Sequence, residues 1–173
     1  MTDFTVHPIL SYSQHAVVPG HYCHIIWDLR ESPDVARLAL DLETSPSPLD
    51  LSEFATTPPV PLLHVVCDIF PGHWPIRSSR LEGVTVGDVL RSIHSVLMKR
   101  ISHEEWDRLS SKQQERIQAI FENRCNRAVN RDECRSHGVI RVDCLIQHTW
   151  FAGLSASFEM DSTCILTLRR PSL

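Results

Sequence analysis

Apolar and polar residues alternate in four stretches of the chain: "YCHIIWDL" (22–29), "LLHVVCDIF" (62–70), "VIRVDCLIQHTW" (139–150) and "STCILTLRR" (162–170). Period-two patterning rich in β-branched residues predicts half-buried strands. One side of each carries a cysteine among apolar residues: Cys23 with Ile25, Trp27 and Leu29; Cys67 with Leu63, Val65 and Ile69; Cys144 with Ile140, Val142 and Ile146; Cys164 with Leu166 and Leu168. A free cysteine behaves as a small hydrophobe, so these four thiols are expected in the core.

Between residues 85 and 131 the period changes to 3.6, and Val86, Val89, Leu90, Ile93 and Leu97 make a helical stripe. Thr85 with Asp88, Ser102 with Glu105, and Ser111 with Gln114 have capping-box spacing, so three helices are predicted. The last should bury Ile117, Ile120, Phe121 and Ala128. Earlier, "SPDVARLALDLE" (32–43) offers Ser32 as cap, Pro33 in the first turn, and Val35, Leu38, Ala39 and Leu42 on one side. That predicts a short helix. Residues 43–61 hold five of the eleven prolines and read as an extended surface connection. Strands, helices, then strands indicate an α+β fold: one domain over 1–173, a mainly antiparallel sheet, and the 85–131 helices packed on one side.

Composition narrows the class. With 173 residues, 42% apolar and 22% charged, the chain is globular and long enough for a core without staples. A net charge of −4 supplies no general drive toward nucleic acid or anionic membrane. The N-terminus lacks a basic region followed by an apolar run, and no apolar stretch reaches membrane-spanning length. A cytoplasmic protein with reduced thiols is the expectation, its partner a protein or small-molecule ligand, with homo-oligomers allowed.

Candidate chemistry centres on an echo. "HIIWDL" (24–29) and "HVVCDI" (64–69) both read His, three apolar residues, Asp, one apolar residue. Within a strand, His24 and Asp28, like His64 and Asp68, lie about 13 Å apart and cannot touch. Were the two strands antiparallel neighbours, His24 would face Asp68 and His64 would face Asp28, the arrangement that prepares a general base. The plainer reading is polar residues facing water.

Other motifs are weaker. Cys134, His137, Cys144 and His148 have zinc-like spacing, but a strand would hold Cys144 and His148 about 13 Å apart, too far to share an ion. No metal or other cofactor is expected. The glycines form neither a P-loop nor a dinucleotide fingerprint. Cys125 and Cys134 are the least committed thiols, and both lie near arginines. Arg124, Arg127, Arg131 and Arg135 would line up if one helix ran through them, either gripping an anionic partner or complementing a helix end. Arg141, Asp143 and Trp74 are the candidate binding residues, with Trp74 expected partly exposed between His73 and Pro75.

The ordered words "WDLR" (27–30), "ATTPP" (55–59), "HWPI" (73–76), "VTVGDVL" (84–90) with "IH" (93–94), "RVDCL" (141–145) and "FAGL" (151–154) resemble an uncharacterised domain family abundant in mushroom-forming fungi, the basidiomycetes. The resemblance runs from about residue 22 to the C-terminus. It implies a fungal, intracellular protein and brings no activity, substrate or catalytic residue with it. The leading expectation is therefore a module that binds a protein or small ligand. The alternative is a cofactor-independent enzyme using His24, Asp28, His64 and Asp68 in acid–base chemistry.

Overall fold

Prolines and turn residues cut the first third of the chain into short pieces. β1 (Thr5–Val6) pairs antiparallel with β4 (Thr56–Thr57), and β2 (Ile25–Ile26) with β3 (Arg37–Leu38). Between them stands α1 (Pro48–Ser52), started by the Ser47 and Asp50 capping box. The computed structural model describes residues 3–40 and 43–171, apart from the Leu49 side chain. The helix predicted from Ser32 is only a 3-10 turn, Pro33–Val35, after which the chain extends into β3. Ser32 caps that turn, but pairing with β2 draws the backbone straight at Arg37. Leu42 of the predicted stripe lies outside the described residues. The proline-rich connection is less superficial than its composition indicates, because Ala55, Thr56 and Val60 are buried.

The main sheet has four strands: β5 (Leu62–Val66), β6 (Ile76–Ser79), β7 (Trp150–Ala156) and β8 (Thr163–Arg169), in the spatial order β6-β5-β8-β7. Both outer pairings are antiparallel, and the central β5–β8 pairing is parallel. Leu63, Val65, Ile76, Phe151, Leu154, Cys164 and Leu166 turn inward from it. Over them packs α2 (Val86–Leu97), whose Val86, Val89, Leu90, Ile93, Val96 and Leu97 are all buried. Each such side chain taken from water stabilises by about 1.5–3 kcal/mol before entropy is counted. The fold is thus α+β, with an apolar core between sheet and helix.

The free edge of β7 is closed by two passing segments. Leu29 N–H donates to Thr149 O and Phe151 N–H to Trp27 O, while Tyr12 N–H donates to Leu154 O. Gly153 makes the second approach feasible. Its φ is +114°, β7 bulges between Phe151 and Gly153, and a Cβ there would lie 2.5 Å from Tyr12 N.

After α2 come α3 (His103–Asp107), α4 (Ser111–Arg127) and α5 (Arg131–His137). Thr85/Asp88 and Ser102/Glu105 are capping boxes as expected. The third falls one residue earlier than predicted, on Ser110 and Gln113, because Gln114 donates instead to Trp106 O at 2.8 Å. The inner side of α4 carries Ile117, Phe121 and Cys125, while Ile120 and Ala128 stay half-exposed.

Residues 139–149 are not the predicted strand, and only Trp150 of that stretch is in one, as the first residue of β7. Arg141–Leu145 form a 3-10 turn that buries Val142, Asp143, Cys144 and Leu145. Its alternation misleads because Asp143, nominally outward, is held inside by Arg124. The inward placement of thiols survives: Cys23, Cys144 and Cys164 are buried and Cys67 is half-buried. Burial pushes the Cys23 thiol up to about 11 and those of Cys144 and Cys164 up to about 12, so all three are poor nucleophiles at neutral pH.

Candidate functional site: a groove along the α4 helix

The His–Asp echo does not assemble as a cross-strand device. The segment carrying His24 and Asp28 runs outside β7, so β7 and β8 separate it from β5 by roughly 14 Å. Asp28 is instead held by Arg30, with Nη2 to Oδ2 at 2.5 Å. His64 stands on the outer side of β5, registered with Arg77 and Thr163, and Asp68 is exposed beyond the strand end.

The three binding candidates all make internal contacts. Trp74 is buried, only 4% exposed, and its indole N–H donates to Glu105 Oε1 at 2.5 Å. The Arg141 guanidinium lies 5.3 Å from the Trp74 ring centroid and 3.8 Å from the same carboxylate. Together they pin the 71–75 loop, α3 and the 141–145 turn into one unit. Asp143, 2% exposed, accepts Arg124 Nε at 2.9 Å, Arg124 Nη2 at 2.8 Å and the Ile140 N–H at 3.0 Å. These residues brace a site without lining it, except that Asp143 floors one recess.

Helix α4 leaves a second side uncovered by the core. Gln113, Arg116, Ile120, Asn123 and Arg127 follow at i, i+3, i+7, i+10 and i+14, a single stripe about 21 Å long. Opposite runs the 142–149 segment. Between them lie two recesses, of about 770 and about 480 Å³, which share Ile120 and Ile146 as a common apolar ridge. Arg116, Arg170 and His148 line the larger recess; Arg30, Arg124, Arg127 and Glu31 line the smaller.

The groove's charge differs from that of the whole chain. Arg30 and Arg124 are neutralised by Asp28 and Asp143, but among the described residues Arg116, Arg127 and Arg170 have no ion-pair partner. Among the described lining residues, Glu31 is the one carboxylate besides the paired Asp143. A net-negative protein thus presents a locally cationic channel with an apolar centre. Ile146 adds strain, since φ of +60° and ψ of −99° place a β-branched residue in a left-handed region. Such conformations cost of order 1–3 kcal/mol and concentrate at ligand-binding segments.

The arginine row expected at 124, 127, 131 and 135 is split by the break between α4 and α5. Arg124 turns inward and Arg135 pairs with Glu122, which leaves Arg127 to the groove. Arg116, Ile120 and Ile146 were missed as site residues. For Arg116 and Ile120 the one sequence signal was the heptad-like spacing of α4, legible only once the core had claimed the other side; Ile146, beyond the 141–145 turn, had none. Across α4 lies another recess of about 580 Å³, lined by Trp106, Phe121 and Val139, where Arg135 is already paired. Among the described residues no three His, Cys, Asp or Glu side chains converge as a metal site. None of their helices is long and apolar enough to cross a membrane.

Comparison with known proteins leaves the site's ligand open. No curated protein and no solved structure matches the chain significantly. A family model does match, over residues 25–162, and that span takes in all of the main sheet up to the start of β8, together with α1 to α5 and the groove except for Arg170. The chain belongs to DUF6699, a family of unknown function.

Proposed function

We propose that this protein is a binding module whose α4 groove takes an acidic, extended peptide segment of a partner protein. The carrying observation is a set of guanidiniums, Arg116, Arg127 and Arg170, that have no ion-pair partner among the described residues and are distributed along one channel. Complementary charge steers a partner and fixes its register, while the Ile120 and Ile146 ridge offers burial for one apolar side chain between acidic neighbours. A run of about 21 Å matches six or seven residues of extended chain better than a compact small molecule. Trp74, Glu105 and Arg141 support this by holding the groove's far wall, and Asp143 by fixing its floor.

Fluorescence anisotropy with a labelled acidic heptapeptide carrying a central leucine tests the reading. Binding should weaken by roughly tenfold or more when ionic strength rises from low to physiological values, because the pairs are at the surface. The double variant Arg116→Glu/Arg127→Glu should abolish it while leaving the fold intact by circular dichroism. Equal binding by that variant, or no binding of the acidic peptide at low salt, would overturn the proposal.

A further inference from the structure

Cys125 and Cys134, which have no assigned role, meet where α4 ends and α5 begins. Cys125 sits in the last turns of α4 and is fully buried; Cys134 sits mid-way along α5 and is half-buried, lining the smaller recess. Their sulfurs are 2.9 Å apart, and Arg124 Nη1 donates to the Cys134 sulfur at 3.0 Å. The other four thiols are placed differently. Cys23 and Cys144 point at backbone carbonyls, Cys164 lies in the apolar core, and Cys67 packs against it.

From this geometry we propose that Cys125 and Cys134 form a reversible intramolecular disulfide, with Cys134 as the peroxide-reactive thiol and Cys125 as the resolving one. Two sulfurs already in contact need only a small approach of two adjacent helices to reach bonding distance. Access sets the order of events. A small oxidant in the recess meets Cys134, whose sulfur accepts the Arg124 Nη1–H, whereas burial and the neighbouring sulfur push the Cys125 thiol up to about 11. The Cys134 thiolate attacks hydrogen peroxide, breaking the O–O bond, and becomes a sulfenic acid as hydroxide leaves. Cys125 then attacks the sulfenyl sulfur; its proton leaves with the displaced hydroxyl as water, and the S–S bond forms. Overall, two thiols and one peroxide give one disulfide and two waters. An external dithiol reverses it by exchange. This proposal rests on the helix junction alone and stands whether or not the groove binds a peptide.

The whole chain, first reduced and then treated with one equivalent of hydrogen peroxide, provides the test. Intact mass should fall by about 2 Da, with recovery on dithiothreitol. Non-reducing tryptic mapping should join the Cys125 peptide to the Cys134 peptide, leaving Cys23, Cys67, Cys144 and Cys164 as thiols. In Cys125→Ser, dimedone should trap a sulfenic acid on Cys134; in Cys134→Ser, Cys125 should stay unmodified under the same treatment. Should either variant fail to fold, the wild-type map decides alone. A disulfide between any other pair, or an oxidised Cys134 unlinked to Cys125 in the wild-type chain, would overturn the assignment.

Discussion

Replacing Arg124 by Met tests the internal bracing of the groove most directly. Asp143 is 2% exposed and accepts three hydrogen bonds, two from Arg124 and one from the Ile140 N–H. Arg124→Met leaves a buried carboxylate with a single backbone donor. Removing one partner of a buried ion pair costs about 3–5 kcal/mol, because the remaining charge has lost its compensation. The Arg124 side chain is 28% exposed and borders a recess, so water can enter the vacated space. That puts the expectation at the lower end, about 3 kcal/mol. With a urea m-value of about 2 kcal/mol/M, the unfolding midpoint should drop by about 1.5 M while the slope holds. The double variant Arg124→Met/Asp143→Leu supplies the control. Both variants lose the Arg124 bonds to Gly138 O and the Cys134 sulfur; beyond these the double variant removes the orphaned charge and forfeits only the Asp143 bond to Ile140, about 1 kcal/mol, so it should be more stable than Arg124→Met alone. A midpoint drop under about 0.5 M in the single variant, or a double variant as unstable as the sum of its parts, would refute this account of the 140–146 turn.

Gly153→Ala should destabilise, because φ is +114° and the new Cβ would lie 2.5 Å from Tyr12 N and 2.6 Å from Tyr12 Cα, backbone atoms that cannot rotate aside. A cost of about 2 kcal/mol predicts a melting point lower by roughly 5 °C, and a change within about 1 °C would contradict the close approach. The Asp88 carboxyl is held well below the usual carboxylate range, first by the Arg80 guanidinium and then by the Thr85 N–H and hydroxyl and by Arg91. A depressed carboxylate stabilises the fold fully above the unfolded value near about pH 4, and that contribution disappears as pH falls through the lower folded value. Urea midpoints taken downward from about pH 5 should therefore decline less steeply in Asp88→Asn than in the wild type, and parallel profiles would rule out the pair as their source.

How much was legible beforehand varies with the range of the interactions. The α2 stripe, the caps at Thr85 and Ser102 and the inward thiols are local patterns, and each is written in residues within a few positions of one another. β7 went unread as a strand, although its "WFAGLSA" run holds two aromatics, because the glycine that lets Tyr12 approach interrupts the alternation. Residues 139–149 were misread for the converse reason: Asp143 looks outward on a strand template, and only Arg124, nineteen positions away, makes its burial tolerable. The candidate site suffered most. His24 and Asp28 share a hexapeptide pattern with His64 and Asp68, yet strand order alone decides whether two such segments are neighbours. β8 and β7 intervene.

The sequence by itself determined the α+β class, the helical middle and which side of most elements faces the core, since hydrophobic period and capping act through nearby residues. Tertiary structure alone decided that β5 and β8 run parallel, that Arg124 spends its charge on Asp143 while Arg116 and Arg127 find no ion-pair partner among the described residues, and that Cys125 meets Cys134. The physical reason is the same each time. Charge pairing, strand neighbours and sulfur contacts depend on distances through space, which one-dimensional spacing constrains only within a single helix or strand.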